Sequence, residues 1–379
     1  MFTLKMSTLL FIHLFFYGPL LHAKAEDQYA ETTKTSFSSV FISEARISLL
    51  KEAVSRKQDP TYSAFEACRV YAEENLDRVP TVPEKWYVPG FYRDAEGHRT
   101  AKNGLRDDAN ATYALALCYR MTGEQKYAQS AVNLINAWAT GIKSMSRRDD
   151  SMLSFSYHFP ALIFAADLLR NEDIWPVDQQ KDFSEFLRDK ALPMNTMDRE
   201  NNWGNWGLVL STSIAVYLGD EALFNKCADR WKYFIEHQIA PGGHLPHEVN
   251  REGGQRGIWY SHFTLMPQTI AAEILKVNGM DLYDFESPDG RTLKQAYEQI
   301  AEWTRKPDSF PYWDGDPDHM LGVNYFSYFE ILNSHWPNED ASYLIRQSRP
   351  MTADHSTPFL TFTHGKTLME KAESSARRK

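Results

Sequence analysis

The stretch that decides the fold is Asp107–Ile142, DDANATYALALCYRMTGEQKYAQSAVNLINAWATGI. In its second half, Tyr127, Ala131, Leu134 and Trp138 fall at i, i+4, i+7 and i+11, which is one face of a helix. Its first half, Asp107–Met121, is rich in Ala and Leu and stops at Thr122-Gly123, where glycine ends a helix. The segment therefore predicts a helix, a tight turn and a second helix. The same grammar recurs downstream. Ser211–Leu218 stops at Gly219-Asp220-Glu221, and Ala222–His237 resumes with Phe224, Ala228, Trp231 and Phe234 on one face. A divergent repeat of an αα unit predicts hairpins stacked around an axis. Further helices are expected at 44–56, 62–76, 157–170, 178–190, 262–278, 291–306, 321–333 and 339–347. Strand patterns are scarce and no low-complexity linker divides the chain. The expected fold is all-α: an α/α toroid, an incomplete barrel of helical hairpins, over residues 26–365, with a charged tail at 366–379.

The composition fits a folded globular chain, with 43% hydrophobic and 24% charged residues. Formal net charge is -9. Met1–Ala25 reads as a secretory signal, with Lys5 ahead of the apolar run Leu9–Leu21 and an Ala23-Lys24-Ala25 cleavage site. Its removal takes away two lysines and no acid, leaving -11 from 39 basic and 50 acidic residues. Export to the periplasm or beyond is expected, with no membrane association after cleavage, since no later apolar stretch approaches about 20 residues. The alternative for Met1–Ala25 is a membrane anchor, for which the run is short. The acidic balance disfavours nucleic acid as a partner, because a nucleic-acid surface is basic. Ten Trp, 19 Tyr and 22 Phe suit a carbohydrate cleft, where rings stack on sugar faces. Three cysteines form no disulfide framework, and no C-x-x-C, GxGxxG or P-loop calls for a metal or nucleotide cofactor.

Chemistry-bearing side chains concentrate in the irregular stretches. The densest runs from Gly242-Gly243-His244-Leu245-Pro246-His247-Glu248 through Arg251, Arg256, Trp259, Tyr260 and His262. His244-x-x-His247 superficially resembles a zinc pair, but Pro246 between them disfavours a helix presenting both, so no metal is expected. The bland alternative is that this cluster only ties down a long loop. A second cluster is Glu200-Asn201-Asn202-Trp203-Gly204-Asn205-Trp206 before an apolar helix. One cap needs one Asn, so the surplus amides and rings point to a site. Others are Trp86–Lys102, with Tyr92, Arg93, Arg99 and Lys102; Ser156-Tyr157-His158; and Pro311–Asp316, with Trp313.

The order Asn201-Asn202-x3-Trp206, Gly243-x-Leu245-Pro246-x-Glu248 and Arg256-x3-Tyr260-x-His262 resembles the alginate lyase family of polysaccharide lyases. The hairpin Tyr113–Ala139 and the run Ala271-Ala272-Glu273-Ile274 followed by Gly279-Met280-Asp281-Leu282-Tyr283 are similar to that superfamily too. The resemblance covers roughly residues 80–335. It implies a secreted lyase that cuts uronic-acid polymers, alginate or polymannuronate-like, by β-elimination without a cofactor. Trp203 stands where family members carry a histidine, and Ser261 is an extra residue between Tyr260 and the histidine.

Such a reaction removes the proton on C5, beside the carboxylate, and expels O4. The carboxylate must be neutralised for the enolate-like charge to form. Asn202, Arg256 and Arg251 suit that task. A base must take the C5 proton and an acid must protonate O4. Tyr260 is expected to do both in turn, with a nearby Arg lowering its pKa, and His262 or His158 to act as base or carboxylate ligand. Asn201, Trp203, Trp206, His247, Lys102, Arg99, Trp259 and Trp313 are expected to bind an acidic polysaccharide. Two other readings stand beside this one. A glycoside hydrolase would need paired carboxylates, such as Asp107 or Asp108 with Asp314 or Asp316. A non-catalytic oligosaccharide-binding relative would bind and release no product.

Overall fold

The computed structural model describes residues 37–351 and 355–368, so Met1–Ala25 and the end of the tail lie outside the described residues. The deciding hairpin forms as read. Its two helices, Ala95–Thr122 and Gln125–Gly141, meet at Gly123, whose φ of 74° is left-handed and whose N–H closes on the Tyr119 carbonyl. Gly219, at φ 72°, ends the corresponding helix of the second hairpin. The first helix begins twelve residues before the expected Asp107. Asp94 caps it by accepting from the Gly97 N–H at 2.8 Å, and His98 and Leu105 continue its buried face.

The described helices are α1 (Glu44–Ser55), α2 (Thr61–Glu74), α3 (Ala95–Thr122), α4 (Gln125–Gly141), α5 (Ser151–His158), α6 (Pro160–Leu169), α7 (Val177–Phe186), α8 (Asn202–Leu218), α9 (Glu221–Gln238), α10 (Gly257–Val277), α11 (Leu293–Arg305), α12 (Phe329–His335), α13 (Glu339–Ser348) and α14 (Leu360–His364). The expected helix 157–170 starts earlier and is broken at Phe159, because Pro160 has no N–H to donate and disfavours helical geometry before it. The expected helix 321–333 shrinks to α12, with Leu321–Tyr328 irregular. One two-residue parallel ladder, Lys85–Trp86 with Ser144–Met145, ties the approach to α3 to the exit from α4.

Packing sorts the helices into two layers. α3 lies against α6, α6 against α8, and α8 against α10. α6 buries every residue but Asp167, and α8 every residue but Trp203 and Leu218. A helix apolar all round must be covered on all sides. α4, α7, α9 and α11 do this from outside, each burying one face. At the chain's ends α14 packs on α2, which packs on α3. This is the α/α toroid. Ser151–Leu169, which spans α5 and α6, is 19 residues long and apolar enough for a membrane span, contrary to expectation. It is 89% buried inside the protein, as a core segment is.

Two buried polar groups hold the layers in register. Asp108 is fully buried and accepts from Arg78 Nε at 2.7 Å, the Thr81 N–H at 2.8 Å, Thr81 Oγ1 at 3.0 Å and Trp138 Nε1 at 2.9 Å. It is thus committed to joining α3 and α4 to the loop before them. His262 was expected in the site. It lies two residues past Tyr260, about 200° around a helix, and so points the other way. Its Nδ1 meets Tyr328 Oη at 2.8 Å and its Nε2 meets Thr304 Oγ1 at 2.7 Å, so it packs α10 against α11 and α12. Burial pushes its pKa from 6.5 down to about 3.

Asp108→Ala should cost about 3–5 kcal/mol in denaturant unfolding, because it strands the Arg78 guanidinium and the Trp138 N–H. His262 gives a pH signature. The folded state keeps it neutral, while the unfolded chain protonates it below about 6.5, so stability is full above that pH and falls as pH drops toward about 3. His262→Gln should flatten the dependence of unfolding free energy on pH between about 6.5 and 5. An unchanged slope would place the imidazole in solvent.

Candidate active site

The N-terminus of α8, the loop before α10 and the first turns of α10 converge on one cleft. Asn201 caps α8 by accepting from the Trp203 N–H at 3.2 Å. That leaves Asn202 as the first helical residue, with its side chain buried and turned toward Glu248. Asn202 Nδ2 donates to Glu248 Oε1 at 3.0 Å, Thr264 Oγ1 donates to the same oxygen at 3.1 Å, and Arg251 Nε reaches Oε2 at 3.2 Å. Burial raises the Glu248 pKa, and these partners oppose the shift. Gly257 opens α10 against the Val249 carbonyl, which would lie 2.2 Å from a Cβ there, so the loop docks closely on the helix start.

The cleft has a volume of about 520 Å³, within the range of ligand sites. Arg99, Lys102, Arg199, Arg251 and Arg256 line it, while Asp150 is its one carboxylate among the described residues. Three of the arginines are held over rings. The Arg251 guanidinium lies 4.4 Å from the Tyr260 ring, that of Arg256 4.8 Å from Trp259, and that of Arg199 4.0 Å from Trp203. Arg256 Nε is buried with no hydrogen-bond partner among the described residues. Tyr260 is half-buried, and its hydroxyl lies 2.7 Å from that of Tyr92, which is 71% exposed on the opposite wall. Burial and then the Tyr92 contact raise the Tyr260 pKa, outweighing Arg251 and Arg256. This corrects the expectation that the arginines would lower it.

Of the residues expected here, Tyr260, Asn202, Arg256, Asn201, Trp203, Arg251, Lys102, Arg99 and Trp259 line the cleft together. Five do not. His262 is in the core. Trp206 is fully buried one turn into α8 and supports the floor through Phe263 (5.3 Å) and Tyr157 (5.9 Å between ring centroids). His158 is buried behind the lining, with its ring stacked 5.5 Å from His355. His247 is exposed on the loop, outside the lining. Trp313 packs against a satellite cluster of Val249, Ile258, Trp303 and Phe310. The carboxylates considered for hydrolysis are also elsewhere: Asp108 is in the core, and Asp314 holds His319 Nδ1 at 2.9 Å in an exposed turn. Tyr92, His98, Tyr157, Arg199, Phe263, Tyr325 and His355 join the lining without having been singled out as site residues. Tyr92, His98 and Tyr157 stand in sequence clusters that carry a signal. Tyr325 and His355 arrive from distant segments with none.

The family model for alginate lyase matches residues 26–310. An alginate lyase of Pseudomonas fluorescens is 28% identical over 141 residues, which is 37% of this chain and 36% of the relative. One of Pseudomonas aeruginosa is 25% identical over 141 residues, with the same shares. The matched segment thus spans about a third of these relatives' length. Among solved structures, an alginate lyase from Bacteroides ovatus superposes with a TM-score of 0.67 at 20% identity, covering 86% of this chain and 99% of that one. Alginate lyase A1-III from Sphingomonas species A1 gives 0.67 at 18% identity, covering 80% and 95%. These two share the fold. The family model covers three quarters of the sequence, and the chain belongs to the alginate lyase family.

Proposed function

We propose that the protein is an exported polysaccharide lyase that cleaves a uronic-acid polymer of the alginate type by β-elimination. The observation that carries the reading is the cleft's charge: five cations and one carboxylate, in a chain of net charge -9. A local basic cleft focuses an anionic chain whatever the sign of the whole surface. The family supports a lyase, and A1-III is described as complexed with a tetrasaccharide. Export rests on the pattern of Met1–Ala25 alone.

In this reading Asn202 and Arg256 receive the substrate carboxylate, helped by Arg251. Neutralising it lets negative charge build on that group as the C5–H bond breaks. Glu248 fixes the Asn202 amide, so the donor is oriented before substrate arrives. Tyr260, as phenolate, accepts the C5 proton. The electron pair forms the C4–C5 double bond, the C4–O4 bond breaks, and Tyr260 returns the proton to O4. Arg251, over the ring, and Arg256 stabilise the phenolate against burial and the Tyr92 contact, which favour the neutral phenol. Trp203 and Trp259 offer faces for sugar rings. A hydrolase would need a second carboxylate across the cleft, and Asp150 has none facing it among the lining residues.

Tyr260→Phe should lower formation of unsaturated product by about 10²–10⁴-fold with an unchanged melting profile. Near-UV absorbance of the new double bond reads the loss; full activity in the Phe variant would remove Tyr260 from the chemistry. Because burial and Tyr92 favour the neutral phenol, the base form gains population as pH rises, so turnover should climb on the alkaline side of neutrality. A non-catalytic relative would bind oligouronate saturably and release nothing.

A further inference from the structure

A second cavity, of about 400 Å³, lies between α1, the C-terminal end of α10, α12 and the segment leaving α14. It shares no lining residue with the cleft. Its charged walls are Arg46, Glu273, Lys276, His335, His364 and Lys366. Two of its polar residues, with Asp281 and Tyr283 beside them, come from the Ala271–Tyr283 run, for which the cleft has no use.

Glu273 is already occupied. It accepts from Tyr283 Oη at 2.8 Å, with His364 Nε2 at 3.7 Å and His335 Nε2 at 4.0 Å from its oxygens. Lys276 is paired with Asp281 at 3.3 Å and approaches His335 Nε2 at 3.4 Å. Arg46 and Lys366 are different. Arg46 Nε donates to the Thr363 carbonyl at 2.7 Å, and Glu273 attracts both cations without a salt-bridge contact to either among the described residues. Burial, then Arg46 and Lys276, hold the Lys366 pKa down. With Lys276 held by Asp281, Arg46 and Lys366 face one shared space and repel one another, and Glu273, already bonded to Tyr283, is the one carboxylate lining it among the described residues. The Ser43 and Ser334 hydroxyls complete the lining.

We infer that this cavity is a binding site for a compact oxyanion, a carboxylate or phosphate held between the Arg46 guanidinium and the Lys366 ammonium. A planar guanidinium and an ammonium together supply the forked and point-charge donors that such groups accept. The inference does not depend on the chemistry proposed for the cleft.

Calorimetric titration of the full chain with inorganic phosphate, and separately with glucuronate, tests it. One saturable site per chain is expected for at least one of them. Lys366→Gln, at an exposed position, should weaken it at least tenfold, as loss of a charge-assisted contact does. Arg256→Gln removes any glucuronate held in the cleft and should leave unchanged the binding that Lys366→Gln weakens. Phosphate alone binding identifies a phosphoryl site, and glucuronate alone a sugar-acid site. No saturable heat with either, or binding that survives Lys366→Gln, or binding lost only in Arg256→Gln, would overturn the assignment. A thermal melt of Lys366→Gln matching the native protein without anion confirms that the variant folds.

Discussion

The cleft depends on one buried carboxylate. Glu248 is only 1% exposed, and it stands between the start of α8, the loop that carries it and the interior of α10. An isolated buried charge is costly, so its oxygens must be filled. Asn202, Thr264 and Arg251 fill them, and each comes from a different segment. The need to satisfy one charge therefore sets the relative positions of the amide, the arginine and, through α10, Tyr260. The same contact orients Arg251 so that its guanidinium lies over the Tyr260 ring. A carboxylate that never faces substrate thus sets the geometry of the groups that do.

Charge shows how local such organisation is. The chain is acidic overall, yet four arginines and a lysine are gathered in one concavity, with Arg199, Arg251 and Arg256 stacked on aromatic faces. Stacking lets a guanidinium keep its donors free for a ligand while its flat face is partly desolvated. The aromatic surplus divides in the same way. Trp86, Trp138, Trp175, Trp206 and Trp231 are core material, whereas Trp203 and Trp259 carry cations at the cleft wall.

The hairpins were legible because helix periodicity and glycine stops are local signals. Gly123 and Gly219 take left-handed geometry where the pattern required a turn. Asn202, Arg256 and Tyr260 were legible because motifs at loop–helix junctions fall where side chains converge. The misplacements have equally physical causes. His262 follows Tyr260 closely in sequence, but helical rotation sends it into the core, where Tyr328 and Thr304 hold it. Trp206 is one helical turn beyond Asn202 and falls under the floor instead of on it. Tyr325 and His355 reach the cleft only through tertiary closure of the chain's last third, to which no short-range pattern points. The opening of α3 escapes the sequence pattern because its first turns are polar, and only its buried His98 and Leu105 reveal a face.

The central claim is that the cleft breaks C4–O4 by elimination and not by hydrolysis. Mass spectrometry of fragments released from a mannuronate-rich uronan by the purified native protein tests it most directly. Elimination leaves each new non-reducing end one water lighter than hydrolysis does. The account predicts fragments carrying that deficit. Fully hydrated fragments would contradict it, and so would saturable binding with no fragments at all.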